Sequence, residues 1–353
     1  MGQPFKNILV MRLSALGDVV MTIPVVYPVC RAYPDCKFTL LTSSAARQLF
    51  VDAPENLDIV PVDTKNQYRG VRGIFKLFFG IKERNFDAVA DLHDVLRSKL
   101  LRFLFSLTGA KTVSIDKGRK EKQRLVNHEK GCFVQLKSSF ERYADVFRQL
   151  GFRYSGNFTP VGASDCGDLP ERLVRNGLSG EKWIGIAPVS KHRGKNYPAQ
   201  KMEQVVKLLS EKGGYRIFLL GSPLEKELFE SWCASYDNVF SLVPERLGFA
   251  REMKFIKQLD LLVSMDSANM HIASILGTPV LSIWGATHPY AGFLGWGLTE
   301  NSVMQRDIAC RPCSIFGSLP CYKGNYECLD IPPESVAERI ACIVEKNDEK
   351  GNK

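Results

Sequence analysis

Long apolar runs are missing from this 353-residue chain: no stretch of eighteen or more uncharged apolar residues occurs, so no segment reads as a membrane-spanning helix. The opening MGQPFKNILV also lacks the basic, apolar and small-residue succession of a secretory signal, and the expectation is a cytoplasmic protein. Glycine-rich nucleotide signatures are absent as well. Neither G-x-G-x-x-G at a strand-to-helix loop nor the Walker A pattern is found, which disfavours dinucleotide-dependent dehydrogenases and P-loop kinases. No zinc-finger, recognition-helix or RNP signature accompanies the basic residues, and no aromatics interleave them for base stacking, so nucleic acid is not the expected partner. Low-complexity segments and short repeats are missing too.

What is present is a hydrophobic content of 45%, enough for a large core, in a chain long enough for two domains of ordinary size. Residues 1–165 carry 25 Lys and Arg against 16 Asp and Glu, which is the whole of the net charge of +9; the remainder is neutral. The densest basic run is DKGRKEKQR, Asp116 to Arg124, read either as a solvated loop or as a site for an anionic partner such as a phosphorylated glycolipid or a membrane surface. Ten cysteines without a secretory signal argue for reduced thiols. Four cluster in CRPCSIFGSLPCYKGNYEC. The Cys310–Cys313 pair has zinc-knuckle spacing, whereas Cys321 and Cys328 are too widely spaced for the mirror-image knuckle, so the cluster reads as a structural thiolate site for zinc or as free thiols in an ordered loop.

Strand-like runs alternate with helical stretches in both halves. NILVMRL, FTLLTS, LDIVPV, FDAVADL and KTVSI mark the first set, with helices at Val19 to Ala32 and Val95 to Leu107 between them. WIGIAPVS, RIFLLGS, NVFSLV, LDLLVSM and PVLSIWG mark the second, with helices at Pro198 to Lys212, Leu224 to Tyr236, Ala250 to Gln258 and Asn269 to Leu276. Such alternation implies parallel sheets with crossover helices. The polar stretch Gly162 to Lys182 is read as the linker, giving domains at 1–165 and 180–328, and 329–353 is a C-terminal helix, amphipathic from Ser335 to Lys346, and tail. Ligands of doubly wound sheets bind beyond the carboxyl ends of strands, so two facing domains are expected to line a cleft with their strand-to-helix loops.

Three of those loops carry polar chemistry. LSALGDVV places Gly17 and Asp18 at the first strand's exit; Gly17 can take backbone geometry that other residues avoid, and Asp18 reads either as a helix N-cap or as a general base. SKHRGKNYP, Ser190 to Pro198, joins a hydroxyl and several cations to a helix N-terminus, the composition of a phosphate site, with Lys195 the preferred ligand. In DSANMHIASILGTP, Asp266 to Pro279, the small residues Ser267 and Ala268 let a diphosphate approach backbone N–H groups; Asp266 and His271 read equally as a cap and a packed helix residue.

RLSALGDVVMTIP, KNYP and MDSANMHIASILGTPVLSIWGATHP together resemble glycosyltransferase family 9, the ADP-heptose:lipopolysaccharide heptosyltransferases, over a span from about Ile8 to the C-terminal helix. The resemblance implies an α/β GT-B fold of two facing Rossmann-like domains with an interdomain cleft, the first taking the acceptor and the second the nucleotide-sugar. It implies inverting transfer that needs no metal cofactor. The family's catalytic aspartate falls on Asp18, and the lysine of its K-x-W-P motif on Lys195, with Tyr197 in place of the tryptophan. Glu225 matches the carboxylate that holds the donor ribose, Asp266 would contact sugar hydroxyls, and Ser190 with Ser267, Ala268, Asn269 and His271 would surround the phosphates. The chain departs from the family at Ala268 and Asn269, where Gly followed by Pro or Leu is common.

The implied function is transfer of a heptose, or a related sugar, from ADP-heptose or a similar nucleotide-sugar to a lipid A and inner-core acceptor at the cytoplasmic face of the inner membrane. Arg69, Arg72, Arg119, Lys120 and Arg124 are the expected acceptor contacts, with peripheral contact to an anionic membrane surface. The alternatives are a nucleotide-sugar epimerase of the same architecture and a non-enzymatic polyanion- or lipid-binding protein.

Overall fold

The computed structural model describes residues 5–175 and 180–351, and side chains up to residue 346. Part of the expected linker, 176–179, lies outside the described residues. The chain divides into two compact units, one of residues 1–118 and 137–165, the other of 119–136 and 166–353. The contiguous split expected from sequence therefore differs at 119–136, which groups with the second unit.

In the first unit, β1 (Asn7–Met11), β2 (Lys37–Thr42), β3 (Leu57–Pro61), β4 (Ala88–Asp91) and β5 (Lys111–Ser114) form an all-parallel sheet in the order β3-β2-β1-β4-β5. The apolar run after β1 is two helices, α1 (Leu16–Val20) and α2 (Ile23–Ala32), rather than one. The break falls just before Pro24, which lies in the first turn of α2, where its missing N–H has no helical partner. The crossovers α3 (Gly70–Ile81) and α4 (Leu96–Ser106) lie on one face, packing Ile74, Leu77, Phe78, Leu101, Leu104 and Phe105 against Leu9, Met11, Leu41 and Val89 of the strands. The next two helices are α5 (Arg119–Val126), grouped with the second unit, and α6 (Ser139–Gln149), which returns to the first. Ser138 caps α6 by accepting the Glu141 N–H at 3.1 Å.

The second unit repeats the plan with β6 (Lys182–Ala187), β7 (Tyr215–Leu219), β8 (Val239–Ser241), β9 (Leu261–Met265), β10 (Val280–Trp284) and the short β11 (Val303–Gln305). All are parallel, in the order β11-β10-β9-β6-β7-β8. Its helices are α7 (Ala199–Lys212), α8 (Lys226–Ser235), α9 (Gly248–Ile256), α10 (Ala268–Leu276) and α11 (Pro333–Gly351). Val336, Ile340 and Val344 of α11 join Met202, Val205 and Leu209 of α7 in one core with the strands. Pro198, the expected first residue of α7, stands instead at its N-cap, and the helix starts one position later, at Ala199.

Both sheets reverse direction of growth once: between β1 and β4 in the first, and between β6 and β9 in the second. Such switch points splay the loops after the two flanking strands apart and leave a polar crevice. The loops after β1, β6 and β9 are the three that the sequence singled out.

Candidate active site

In the first unit Asp18 is the third residue of α1, whose N-cap is Ala15, so Asp18 is not the cap. Its carboxylate instead pairs with the Arg12 guanidinium, whose side chain is 7% exposed while that of Asp18 is 30% exposed. A second Arg12 nitrogen donates to the Leu92 carbonyl at 2.7 Å, so one cation ties the exit of β1 to that of β4. Tyr143 of α6 supports the same loop by donating its hydroxyl to the Asp18 carbonyl at 3.3 Å, and its ring stacks near Arg12. Gly17 lies within α1 and is not among the glycines with a left-handed backbone, so the special geometry expected of it is not used.

The loop after β4 contributes a residue that the sequence did not single out. Asp91, fully buried, accepts the His93 and Asp94 N–H groups at 3.0 and 2.9 Å and turns the chain sharply. That turn sets the His93 ring beside Ser14, with Nε2 3.4 Å from the hydroxyl, and leaves Nδ1 buried without a hydrogen-bond partner. Burial first, then the Arg12 and Lys117 charges, lower the His93 pKa to about 4. His93 is thus a neutral imidazole at physiological pH, next to the carboxylate that Arg12 holds. The tetrapeptide DLHD at a strand exit is its only local signal.

In the second unit Lys195 and Asp266, which the sequence placed on separate loops, meet at 2.8 Å across the β6/β9 switch point. Both are largely buried, and Thr287 adds a hydroxyl to the Asp266 carboxylate at 2.9 Å. The N-cap of α10 is Ser267, so Asp266 is not a cap either; it holds the lysine in place. Ser267 bonds Ser264 at 3.0 Å without capping the helix, and the α10 opening of Ala268 and Asn269 stays partly accessible, with His271 buried in the next turn. Ser190 is locked by Asn196, whose side-chain oxygen accepts both its N–H and its hydroxyl at 2.7 Å. Glu225 closes a capping box, accepting the Ser222 N–H and hydroxyl at 2.7 Å each through a single oxygen. Tyr197, where the family has tryptophan, is buried and donates its hydroxyl to Ile331 at 2.6 Å.

The Lys195 loop is held from beneath by glycines. Ala286 donates to the Gly194 carbonyl at 2.7 Å, and Gly194 donates to Gly317 at 3.3 Å. A Cβ on Gly285 would lie 2.4 Å from the Gly194 oxygen, and one on Gly317 (φ +68) 2.7 Å from Lys195 Cγ. Arg311 is the buried cross-link: its guanidinium donates to the Gly285, Arg306 and Thr287 carbonyls and to Gln305. Burial lowers its pKa to about 10, still charged at neutral pH.

Of the two readings of the cysteine cluster, the structural zinc site finds no support: among the described residues no group of three or more His, Cys, Asp or Glu is placed to hold a metal ion. The four thiols lie within electrostatic reach of one another but differ in their surroundings. Cys310 and Cys313 line a cavity of about 400 Å³ with Val126, His128 and Tyr322, Cys321 sits in a turn whose N–H groups favour its thiolate, and Cys328 is buried, which raises its pKa to about 11. The segment's visible work is packing, since Cys313 and Ser314 donate to the Ala286 carbonyl and Gly317 covers Lys195. The expected acceptor cations are divided as well. Arg69 and Arg72 lie at the start of α3 in the first unit, while Arg119, Lys120 and Arg124 are on α5, in the second; all five are exposed.

Two all-parallel, doubly wound sheets, each with polar side chains gathered at its switch point, make up a GT-B fold. The chain belongs to glycosyltransferase family 9 (heptosyltransferase), which it matches over residues 74–315. It is 24% identical to lipopolysaccharide heptosyltransferase 1 of Pseudomonas aeruginosa, over 87% of this chain and 86% of that protein. Among solved structures, a family 9 glycosyl transferase from Veillonella parvula superposes with a TM-score of 0.72 at 19% identity, covering 98% of this chain and 99% of that one. The E. coli heptosyltransferase WaaC with ADP gives 0.66 at 17% identity, covering 96% and 99%.

Proposed function

We propose that the protein transfers heptose from ADP-heptose to the inner core of lipopolysaccharide, with inversion at the anomeric carbon, working in the cytoplasm and peripherally at the anionic inner face of the membrane. The observation that carries the donor half is the Lys195–Asp266 pair beside the N-terminus of α10. WaaC, of the same fold, has been solved with ADP and with ADP-2-deoxy-2-fluoro heptose, which supports an adenosine diphosphate donor. In this reading Asp18 takes the proton of the acceptor hydroxyl as its oxygen bonds to the anomeric carbon. The bond from that carbon to the diphosphate oxygen breaks, and ADP leaves with the electron pair. Lys195 and the backbone N–H groups of Ser267, Ala268 and Asn269 meet the charge developing on the diphosphate; losing one such preorganised donor typically costs about 3 kcal/mol. Positioned proton removal adds roughly 10²- to 10⁴-fold. Glu225 offers its second carboxylate oxygen to the ribose, Ser190 and His271 flank the phosphates, and Arg69, Arg72, Arg119, Lys120 and Arg124 meet the phosphorylated acceptor. None of these steps calls on a metal.

The test is a thermal-shift series with ADP, GDP, UDP and ADP-heptose, since a ligand that binds only the folded state raises the midpoint. ADP and ADP-heptose are expected to stabilise most, and Lys195→Ala to abolish that difference. Equal shifts with all three nucleoside diphosphates, or conversion of free ADP-heptose without an acceptor, would remove the reading.

A further inference from the structure

The helices α3 and α4 are apolar on two faces, and the core explains only one. Beyond the buried stripes, α3 exposes Val71 (62%), Phe75 and Phe79 (58%) at i, i+4 and i+8, while α4 exposes Leu96, Phe103 (57%) and Leu107 (69%), the last just past its end. Half-buried Leu100 fills the gap in the second stripe. The two helices pack side by side on the same face of the sheet, so the stripes belong to one surface of the first unit. Isolated exposed apolar residues are ordinary, but six of them on two neighbouring helices are not.

Charge says what covers them. Residues 69–82 and 96–107 contain Arg69, Arg72, Lys76, Lys82, Arg97 and Lys99 at exposed positions, and no Asp or Glu. Lys82 and Lys99 have only distant carboxylate neighbours at 3.6 Å, both from outside these helices. Phenylalanine and leucine flanked by cations is the composition of a helix lying in a lipid interface, apolar side among the acyl chains and basic side chains among anionic headgroups. A second copy of this face would bring cation against cation with no acid to relieve it. No helix among the described residues is long and apolar enough to cross a membrane, which fits a surface contact.

We propose that the paired outer faces of α3 and α4 dock the protein on an anionic phospholipid bilayer. This rests on the peripheral location given above and moves its centre from the basic run at Asp116–Arg124 to an apolar surface that this run lacks. The experiment is flotation of the full chain with vesicles of phosphatidylcholine alone or rich in phosphatidylglycerol. Binding is expected only to the anionic vesicles and weakens with salt, as headgroup attraction is screened. Phe79→Glu with Phe103→Glu should lower partition about tenfold or more, because acids replace the inserted rings. The melting temperature should stay unchanged, since both side chains face outward. Lys76→Gln with Lys99→Gln should weaken binding to the anionic vesicles while keeping the apolar stripe. Equal flotation of the phenylalanine variant, or no flotation of the parent, overturns the proposal. A concentration-dependent dimer abolished by the same substitutions would assign the face to a second copy instead. Transfer to a deacylated, water-soluble acceptor separates this proposal from the catalytic one. The phenylalanine variant should retain that activity and lose transfer to acceptor in vesicles; vesicle binding without any transfer would leave the docking face standing and remove the assigned reaction.

Discussion

Arg12 is the residue on which the first unit's site turns. Its guanidinium holds Asp18 and the Leu92 carbonyl together, so the carboxylate's direction depends on a buried cation six residues upstream. Asp18→Asn is expected to leave ADP affinity intact and to reduce turnover by 10²-fold or more, the scale of a lost general base. Arg12→Met should lower turnover with ADP affinity again unchanged, and Arg12→Lys should recover part of it; calorimetry alongside steady-state rates checks both. His93 and His288 each contribute to the acid side of stability. Burial is the first cause of both depressed pKa values, each about 4, with the Arg12 and Arg311 charges adding to it. The unfolded chain protonates these rings near pH 6.5. Between 6.5 and 4 it therefore binds more protons than the folded chain, and stability rises with pH across that window. Each ring contributes on the order of 3 kcal/mol that is complete above pH 6.5 and lost as pH falls toward 4. His93→Gln should flatten that slope in urea titrations, and an unchanged slope would contradict the assignment.

At the scale of elements, the loops after β6 and β10 behave as one body, because glycine lets their backbones touch. Gly285→Ala would push a methyl group into the Gly194 oxygen at 2.4 Å and into Leu329. Overpacking of this kind costs about 1–3 kcal/mol. Chemical denaturation should show that loss, and nucleotide affinity should fall with it because Lys195 follows Gly194. Much at this scale was legible in the sequence. The ten strand-like runs stand where β-branched residues clustered, and all ten became parallel strands, since period and composition report burial on both faces. β11 escaped because Val303 and Met304 stand alone between polar residues, whereas β8, equally short, lies in the apolar run NVFSLV. Asp18, Lys195 and Asp266 were legible as strand-exit residues. Arg12, Thr287 and the Arg311 cross-link were not: Thr287 lies 21 residues from Asp266, and Arg12 and Arg311 also act through distant backbone carbonyls, which leave no mark in local composition. The order of strands, and hence the switch point that makes His93 a neighbour of Ser14, is likewise a long-range fact.

Over the whole molecule, the division of charge proved more telling than its total. All of the excess lies in residues 1–165, yet five basic side chains once grouped together are shared between the two units. The reason is 119–136, which packs Lys122 against the Phe293 ring at 4.2 Å, Phe133 against His288 and Tyr290, and Leu136 N–H on the Tyr290 carbonyl at 2.9 Å. A fragment ending at 165 would carry this segment without its support. Limited proteolysis is expected to cut such a fragment within 119–136 and to spare the full chain there; equal resistance would show that the segment holds its shape alone.

The same segment imposes an order in time. Translation delivers Lys122 and Phe133 well before the Phe293 and Tyr290 rings they rest on, and a gap of about 160 residues at roughly 5–20 residues/s lasts on the order of 10 to 30 s. During that interval the nascent first unit can close its own sheet but must leave this stretch waiting, available to a chaperone or a protease, until the second unit emerges to receive it.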